Sequence, residues 1–441
     1  MQTKYLFILI GLLSAGTLYG QNGTTGPLTW EISDEILTIS GNGDMPDYTV
    51  DGDAPWFIYR NAITGLIIEE GVTSIGDEAF RGSSIHTVSI PGTVKTIGID
   101  AFHDCTNLVS LDIPDMLTTI GGYSFYNCKS LSSVSIGSGV SYIGAYIFSG
   151  CTSLPAIDVS EDNNNFLSEN GILFSKDKTS IRQYPAAKEG TSYAIPDGVT
   201  LIYPDAFDSC SKLSSVILPN SVIYIGNWAF CGCSSLKSIT IPNGVTTIGT
   251  NVFANCENLT SVIFPASLTD IGKYTFLNCN NLSELVNFNP EPQQVTDVFR
   301  ELQFDGCILR VPAASVSAYQ TAEDWDQFKN IVALETGLTL EFDKKELFLL
   351  KDESSKITVS IEYLTLMNMI WNSIDETVAT VSNTGMVTAI SAGIAEIKAT
   401  IPGLQAICGV TVIELGRSTI SGSISDTEAG NVRAKLYMKT K

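Results

Sequence analysis

The sequence predicts a stacked-repeat solenoid followed by an all-β sandwich, and three observations carry that prediction. Cys105, Cys128 and Cys151 are spaced by 23 residues, and so are Cys210, Cys233, Cys256 and Cys279. A phenylalanine column keeps the same step through Phe80, Phe102, Phe125 and Phe148, then Phe207, Phe230, Phe253 and Phe276, with one step a residue short. After Leu334 the period disappears and apolar residues alternate instead. A fixed period in this range marks a unit that cannot bury its apolar side alone and does so by stacking on copies of itself.

Composition bounds the reading further. The chain has 441 residues, 44% of them hydrophobic and only 16% charged. That is enough apolar material for a large core and unlike a disordered chain, which pairs high charge with little apolar content. Acids outnumber bases 47 to 25, for a net charge of −22. Phosphate binding needs clustered Lys and Arg to release counterions, so nucleic acid is excluded as a partner, and anionic lipid surfaces with it. His86 and His103 are the two histidines. A three-histidine metal site and an H-E-x-x-H helix are therefore ruled out.

Taken in order, residues 1–20 read as an export signal: Lys4, an apolar run from Tyr5 to Leu13, then Ala15, Gly16 and Gly20, with cleavage expected between Gly20 and Gln21. The run is too short for a bilayer, which needs about 20 apolar residues. No later segment is long and apolar enough to span, so the mature chain is expected to be secreted or held at a cell surface. Residues 21–60 are expected to be an N-terminal capping segment.

Residues 61–286 hold the repeats, and residues 105–127 show the unit: Cys-x-x-Leu-x-x-Leu-x-Ile-Pro-x-x-Leu-x-x-Ile-Gly-x-x-x-Phe. Leu108, Leu111 and Ile113 form one face of a short strand. Pro114 has no N–H and ends it. Leu117 and Ile120 return to the interior. Gly121 is expected either to take a positive φ or to permit a close backbone approach. The step from Cys151 to Cys210 is two periods plus thirteen residues. The extra residues, about 161–184, carry two apolar stretches, Ile172–Phe174 and Ile181–Tyr184, around Lys176-Asp177-Lys178, and read as a β-hairpin bulging from the stack. Tyr203 stands where the unit has Gly.

The strand phrase with its Ile-Gly and terminal Phe resembles the BspA-type leucine-rich repeat of bacterial surface proteins, over roughly residues 60–286. Leu28-Thr-Trp30 to Trp56 resembles that family's N-terminal flank. Cys307-Ile-Leu-Arg-Val-Pro312 with Tyr319, Trp325 and Phe328 resembles its closing segment, here residues 287–335. In residues 336–415, Leu338, Leu340, Phe342, Ile357, Val359, Ile361, Val410 and Val412 alternate. Trp371, the run Val378 to Val387 with its turn at Asn383-Thr384-Gly385, and Gly393 resemble the group 2 bacterial immunoglobulin-like domain. The resemblance implies a leucine-rich repeat solenoid with a parallel concave sheet, and a spacer sandwich behind it. Residues 416–441 are either a truncated module or a strand added to the sandwich.

The cysteine ladder reads as free structural thiols inside the stack, because buried Cys behaves as a small hydrophobe. Cys231 is off the ladder and is expected to be exposed or paired. Zinc is not supported, since Cys-x-x-Cys pairs are missing. The runs Glu161-Asp162-Asn163-Asn164-Asn165 and Asp44, Asp47, Asp51, Asp53 contain hard-cation ligands. They lack EF-hand spacing and read as solvated turns.

Two candidate binding surfaces follow. On the expected concave face, outward positions are Thr87, Ser89, Ser110, Asp112, Ser133, Ser135, Ala156, Asp158, Ser215, Ile217, Ser238, Thr240, Ser261, Ile263, Glu284 and Val286. The N-terminal half is a hydroxyl surface with two acids and the C-terminal half turns apolar. Ser110, Asp112, Ser133, Ser135, Asp158, Ser215, Ser238 and Thr240 are the candidate contacts, against the alternative of a bland sheet face. Two residues before each Phe lies a second column: Glu78, Asp100, Tyr123, Tyr146, Asp205, Trp228, Asn251 and Tyr274. Tyr123, Tyr146, Trp228 and Tyr274 either meet a ligand or cover the core. No nucleophile elbow, Walker A loop or dinucleotide fingerprint is present. The resemblance implies non-catalytic adhesion to host or neighbouring-cell macromolecules, extracellular matrix proteins in particular, with no cofactor expected. The alternatives are a carbohydrate-capturing surface protein and a structural surface component without a specific ligand.

Overall fold

The computed structural model describes residues 19–49, 52–334, 341–360, 370–382, 385–401 and 404–414. Residues 1–18 of the expected export signal, the tail from 416, and Asp51, Leu338, Leu340, Ile361, Asn383 and Thr384 lie outside the described residues, whereas Tyr19 and Gly20 are described and belong to the first strand. The chain divides into two compact units that part near residue 340.

The first unit begins with an antiparallel meander, Tyr19–Thr25, Leu28–Ser33 and Ile36–Gly41. Its third strand pairs in parallel with Gly65–Ile68, the first strand of the repeats. Trp56 closes the end of the stack beneath Phe80, with rings 5.5 Å apart and the indole N–H donated to Ala79 O. Each following coil contributes a short strand to a first parallel face, whose pairing is interrupted between Thr87–Ser89 and Ser110–Ile113, and a strand of two to four residues to a second sheet. Register in the first sheet is one full period: Asp112 faces Ser135, which faces Asp158. In the second, Thr96, Thr119 and Tyr142 are neighbours. Between the sheets lie the Leu, Ile and Val of the unit, at or near zero exposure.

The turn that joins each second-sheet strand to the next coil is built around the phenylalanine column. The rings of Phe80, Phe102, Phe125 and Phe148 stack in sequence at 5.2–5.9 Å between centroids. Beside them runs a backbone ladder: Asp100, Phe102 and Asp104 N–H donate to Gly122, Ser124 and Tyr126 O of the next coil. The ladder cysteines donate their thiols to phenylalanine carbonyls, as Cys128 does to Phe102 O and Cys256 to Phe230 O. All ten cysteines are unpaired and buried. Burial pushes the Cys105 thiol up to about 12, so it is a weak donor and not a nucleophile.

Two expectations about the turn are resolved. The repeat glycine serves close approach: a Cβ on Gly121 would lie 2.5 Å from the carbonyl carbon of Gly98 on the preceding coil. Positive φ falls instead two residues later, on Glu78, Asp100, Tyr123, Tyr146, Asp205, Trp228, Asn251 and Tyr274, at 54–62°. The candidate aromatic column is therefore one of two left-handed positions in these coils, the other being the residue before the ladder cysteine, such as Asp104, Asn127 and Asn255; the conformation is uncommon for residues other than Gly, Asn and Asp.

The insertion does not bulge from the stack. It is an antiparallel set of three strands, Phe166–Glu169, Ile172–Ser175 and Ser180–Gln183. The last of them joins the second sheet beside Leu201–Ile202. Ile172, Leu173, Phe174 and Ile181 are buried. Strand alternation sends Leu173 into the apolar core that begins at Leu28, and Ile172 and Phe174 into the core that ends at Phe328. Tyr184 takes the phenylalanine position of this coil and stacks on Phe207 at 5.3 Å. The column then resumes through Phe230, Phe253, Phe276 and Phe299. The closing segment adds two parallel strands, Ile308–Val311 and Asn330–Ala333, and caps the core with Tyr319, Trp325 and Phe328.

The second unit is strand-rich. Glu346–Leu350, Leu404–Ile413, Gly393–Ile401 and Ile370–Ser373 form one sheet, and Ser354–Lys356, Met386–Ala389 and Ala379–Val381 another. Ile357, Val387, Ile397, Cys408 and Val410 are buried within it.

Candidate functional site

The first-sheet surface of the N-terminal coils carries a depression of about 400 Å³, lined by Asp112, Ser135, Asp158, Asp115 and Ser160 along with backbone and apolar atoms of the same strands. It arises from the repeat itself. The strands Ser110–Ile113, Ser133–Ile136 and Asp158–Val159 run parallel in one register, so position by position their outward side chains form columns. Leu111 and Val134 point inward and are buried, which leaves Ser110, Asp112 and Ser133 exposed. Ser135 donates its hydroxyl to Asp112. Asp115 accepts the Ser138 N–H at 2.8 Å and the Ser138 hydroxyl at 3.0 Å, and these bonds hold its carboxyl below the ordinary range. The surface therefore presents fixed carboxylates and hydroxyls, a pattern that takes hydrogen-bond donors and positive charge. His86 and His103 are both outside it. His103 lies on the turn side, its Nδ1 2.5 Å from Asp100.

The other half of the same face differs from expectation. Ser215, Ser238 and Ser261 line up in register and are half-buried. Ile217 is 46% exposed, but Ile263 and Val286, expected to face outward in the open, are buried. Glu284 is paired with Arg310 at 2.7 Å. The sequence reading also missed one coil: Ser192–Ala194 pairs with Ser215–Ile217 and places Ser192 and Ala194 on this face. Its signal was present, because Tyr184 precedes Phe207 by one period.

Of the turn-column residues, Trp228 is 40% exposed and Tyr123 38%. Tyr146 and Tyr274 are half-buried. Tyr123 and Tyr146 stack on each other with centroids 4.6 Å apart and planes 10° apart, so each ring spends one face on the other. The Arg300 guanidinium lies 5.6 Å from the Tyr274 ring. Tyr142 and Tyr224, from the second sheet, are exposed beside this column.

The acidic runs are structural. Asn163 is fully buried, donates to Gly137 O and Val140 O and accepts from Asn165 and Phe166 N–H. Asp44 accepts from Thr73, Asp47 from Asp77 N and Asp53 from Thr49 N. Among the described residues no group of three His, Cys, Asp or Glu is arranged to hold a metal ion. Cys231, expected to be exposed or paired, is unpaired and 5% exposed, and burial pushes its thiol up to about 12.

Sequence reasoning named Asp205 only as a member of the turn column and did not name Asp208 or Arg182. Asp205 accepts the Tyr146 N–H at 3.0 Å. Asp208 accepts the Gly150 N–H at 3.1 Å and the Ser149 hydroxyl at 2.7 Å. The contacts join residues 58 or 59 apart, the distance from Cys151 to Cys210. Arg182 donates to Ile143 O at 2.7 Å and lies 3.3 Å from the centre of the Tyr203 ring. Tyr203 stands at the repeat-glycine position there, and its neighbour on the adjacent strand is Arg182 where a regular coil has glycine.

Residues 55–177 and 186–308 match the family described as BspA-type leucine-rich repeat region, and residues 339–402 match the group 2 bacterial Ig-like domain. A leucine-rich repeat protein from Eubacterium ventriosum is 26% identical, with 67% of this chain and 88% of that one covered and a TM-score of 0.54. The pneumococcal vaccine antigen PcpA is 19% identical over 73% of this chain and all of that one, with a TM-score of 0.48. A leucine-rich cell surface protein from Faecalibacterium prausnitzii is 24% identical over 60% and 94%, with a TM-score of 0.37. No curated protein matches the chain.

Proposed function

The chain belongs to the BspA-type leucine-rich repeat family, and from that premise we propose that it is an exported, surface-held binding protein that acts by adhesion and not by catalysis. Its repeat region takes an extracellular protein, and its immunoglobulin-like unit serves as a spacer. The observation that carries this reading is the depression of about 400 Å³ lined by Asp112, Ser135 and Asp158. Its groups are fixed by strand register, so they are preorganised, and preorganisation lowers the ordering cost of association. No helix among the described residues is long and apolar enough to cross a membrane.

A screen of the full chain against matrix proteins and free glycans tests it. Protein hits that survive deglycosylation and weaken in Asp112→Asn and Asp158→Asn support it, with a loss of about 5–150-fold if either carboxylate pairs with a ligand cation. Hits unaffected by both changes overturn the site. Binding to free glycans, lost on Trp228→Ala, favours the carbohydrate reading, which rests on exposed Trp228, Tyr142 and Tyr224. The mutual stacking of Tyr123 and Tyr146 leaves fewer open ring faces for that reading than the sequence suggested.

A further inference from the structure

A repeat stack couples neighbouring coils through their shared interface, and its cooperativity lasts as long as those interfaces are alike. Within either half, one interface consists of second-sheet strand pairing, ring-on-ring stacking, a thiol-to-carbonyl bond and the backbone ladder of the turn, while first-sheet pairing already lapses once inside the first half, between Thr87–Ser89 and Ser110–Ile113. Between the turn at 144–150 and the turn at 203–209 the content changes. The second-sheet run that ends at Tyr142–Ile143 and the one containing Leu201–Ile202 are separate sheets. So are the first-sheet runs that end at Asp158–Val159 and begin at Ser192–Ala194. The buried apolar residues fall into two clusters, and the inserted strands contribute to both: Phe166 and Leu173 to the first, Ile172, Phe174 and Ile181 to the second.

Side chains stand where backbone groups stand elsewhere. In a regular turn Tyr123 N–H donates to Ala145 O and Asn127 N–H to Ser149 O. At the junction the equivalent donors, Tyr146 and Gly150, are taken by the carboxylates of Asp205 and Asp208. In a regular coil Ile97 O and Ile120 O accept from the N–H of Gly121 and Gly144. At the junction Ile143 O accepts from the Arg182 guanidinium. The Arg182 Nε has no hydrogen-bond partner, and it borders a void of about 10 Å³ walled by Tyr146, Tyr203 and Asp205.

We infer that this junction is a built-in joint: the repeat region is two separately cooperative blocks, meeting at residues 144–150 and 203–209, and the Asp205, Asp208 and Arg182 side chains clip one to the other. The thirteen-residue insertion is what makes the joint. It displaces the coil whose backbone would have continued the ladder and supplies Arg182 in its place. Two blocks with separate cores let one yield under load or denaturant while the other keeps its surface intact.

Hydrogen exchange of the full chain, read by mass spectrometry on peptides around Phe102 to Phe125 and around Phe230 to Phe253, tests this. Leu259→Ala leaves a cavity in the second block and should cut protection there by about 100-fold or more. First-block protection should stay within about twofold. Asp208→Ala orphans the Gly150 N–H and the Ser149 and Ser209 hydroxyls and should lower protection on both sides of the joint by about 5–150-fold, while Asp208→Asn, which keeps an acceptor, stays near the parent. Equal loss of protection in both blocks on Leu259→Ala would overturn the joint, as would an Asp208→Ala chain indistinguishable from the parent. If Asp208→Ala fails to accumulate, the Leu259→Ala result alone decides.

Discussion

The turn at Phe102 and the turn at Phe148 have the same sequence pattern and different neighbours. Phe102 N–H reaches a backbone carbonyl on the next coil, and its ring lies between Phe80 and Phe125. Phe148 has Phe125 on one side, while the turn around it looks across to two carboxylates. The comparison teaches that strict spacing lets backbone satisfy backbone, with side chains free to vary. Where spacing breaks, the same donors still have to be satisfied, because an orphaned buried N–H costs about 1–3 kcal/mol. Specific side chains then become obligatory, and Asp205, Asp208 and Asn163 are of that kind.

The strongest way to sharpen the contrast is to empty the ring column. Phe125→Ala removes a fully buried ring stacked on both faces and should cost about 3–5 kcal/mol in denaturant unfolding. A loss below 1 kcal/mol would mean the column is not what holds the coils.

Next comes close approach. Gly121→Ala pushes a methyl against the Gly98 backbone and should cost about 1–3 kcal/mol. At the junction Tyr203 already occupies the glycine position, so Tyr203→Ala should act through lost contact with Arg182 and with the core it packs against, and not through crowding of backbone. Calorimetry that gave equal penalties for the two would break the comparison.

The junction also responds to pH, with a sign opposite to a surface ion pair. Burial raises the carboxyls of Asp205 and Asp208 above their ordinary value. The folded chain therefore holds protons more tightly than the unfolded one. These groups contribute most stability below the ordinary carboxylate range, and that contribution falls as pH rises through their raised folded values. Denaturant titrations from acid to neutral pH should show the slope reduced in Asp208→Asn. A slope unchanged by that substitution would contradict the assignment.

Smallest are changes at the turn column and on the first sheet. Tyr123→Asn keeps a residue tolerant of positive φ and should move stability by no more than about 0.5 kcal/mol. Asp112→Asn should move it as little, so any binding loss it causes reads the surface and not the fold.

The repeat, its strand phrase and the cysteine ladder were legible because a constant step makes every coil meet the same neighbour. The candidate residues Ser110, Asp112, Ser133 and Asp158 were placed on the sheet by simple alternation. Cys231 was not legible. It lies one residue after Phe230 in a variable position, and only the neighbouring turn, with Asp208 and Asn255 beside it, buries it. Ile263 and Val286 failed for a related reason: alternation tells which way a side chain points and not what else lies there.

By itself the sequence determined the period, the inward face of each strand and the places where the period fails, because these are properties of spacing along one chain. Tertiary structure decided that glycine serves contact while Tyr123 and Trp228 carry the left-handed turn, since φ depends on what the next coil allows. It also decided that an insertion read as a loose hairpin supplies strands to two cores and a guanidinium to a backbone carbonyl. Hydrogen-bond partners 58 or 59 residues apart are chosen by which coils touch, and no local pattern records that choice.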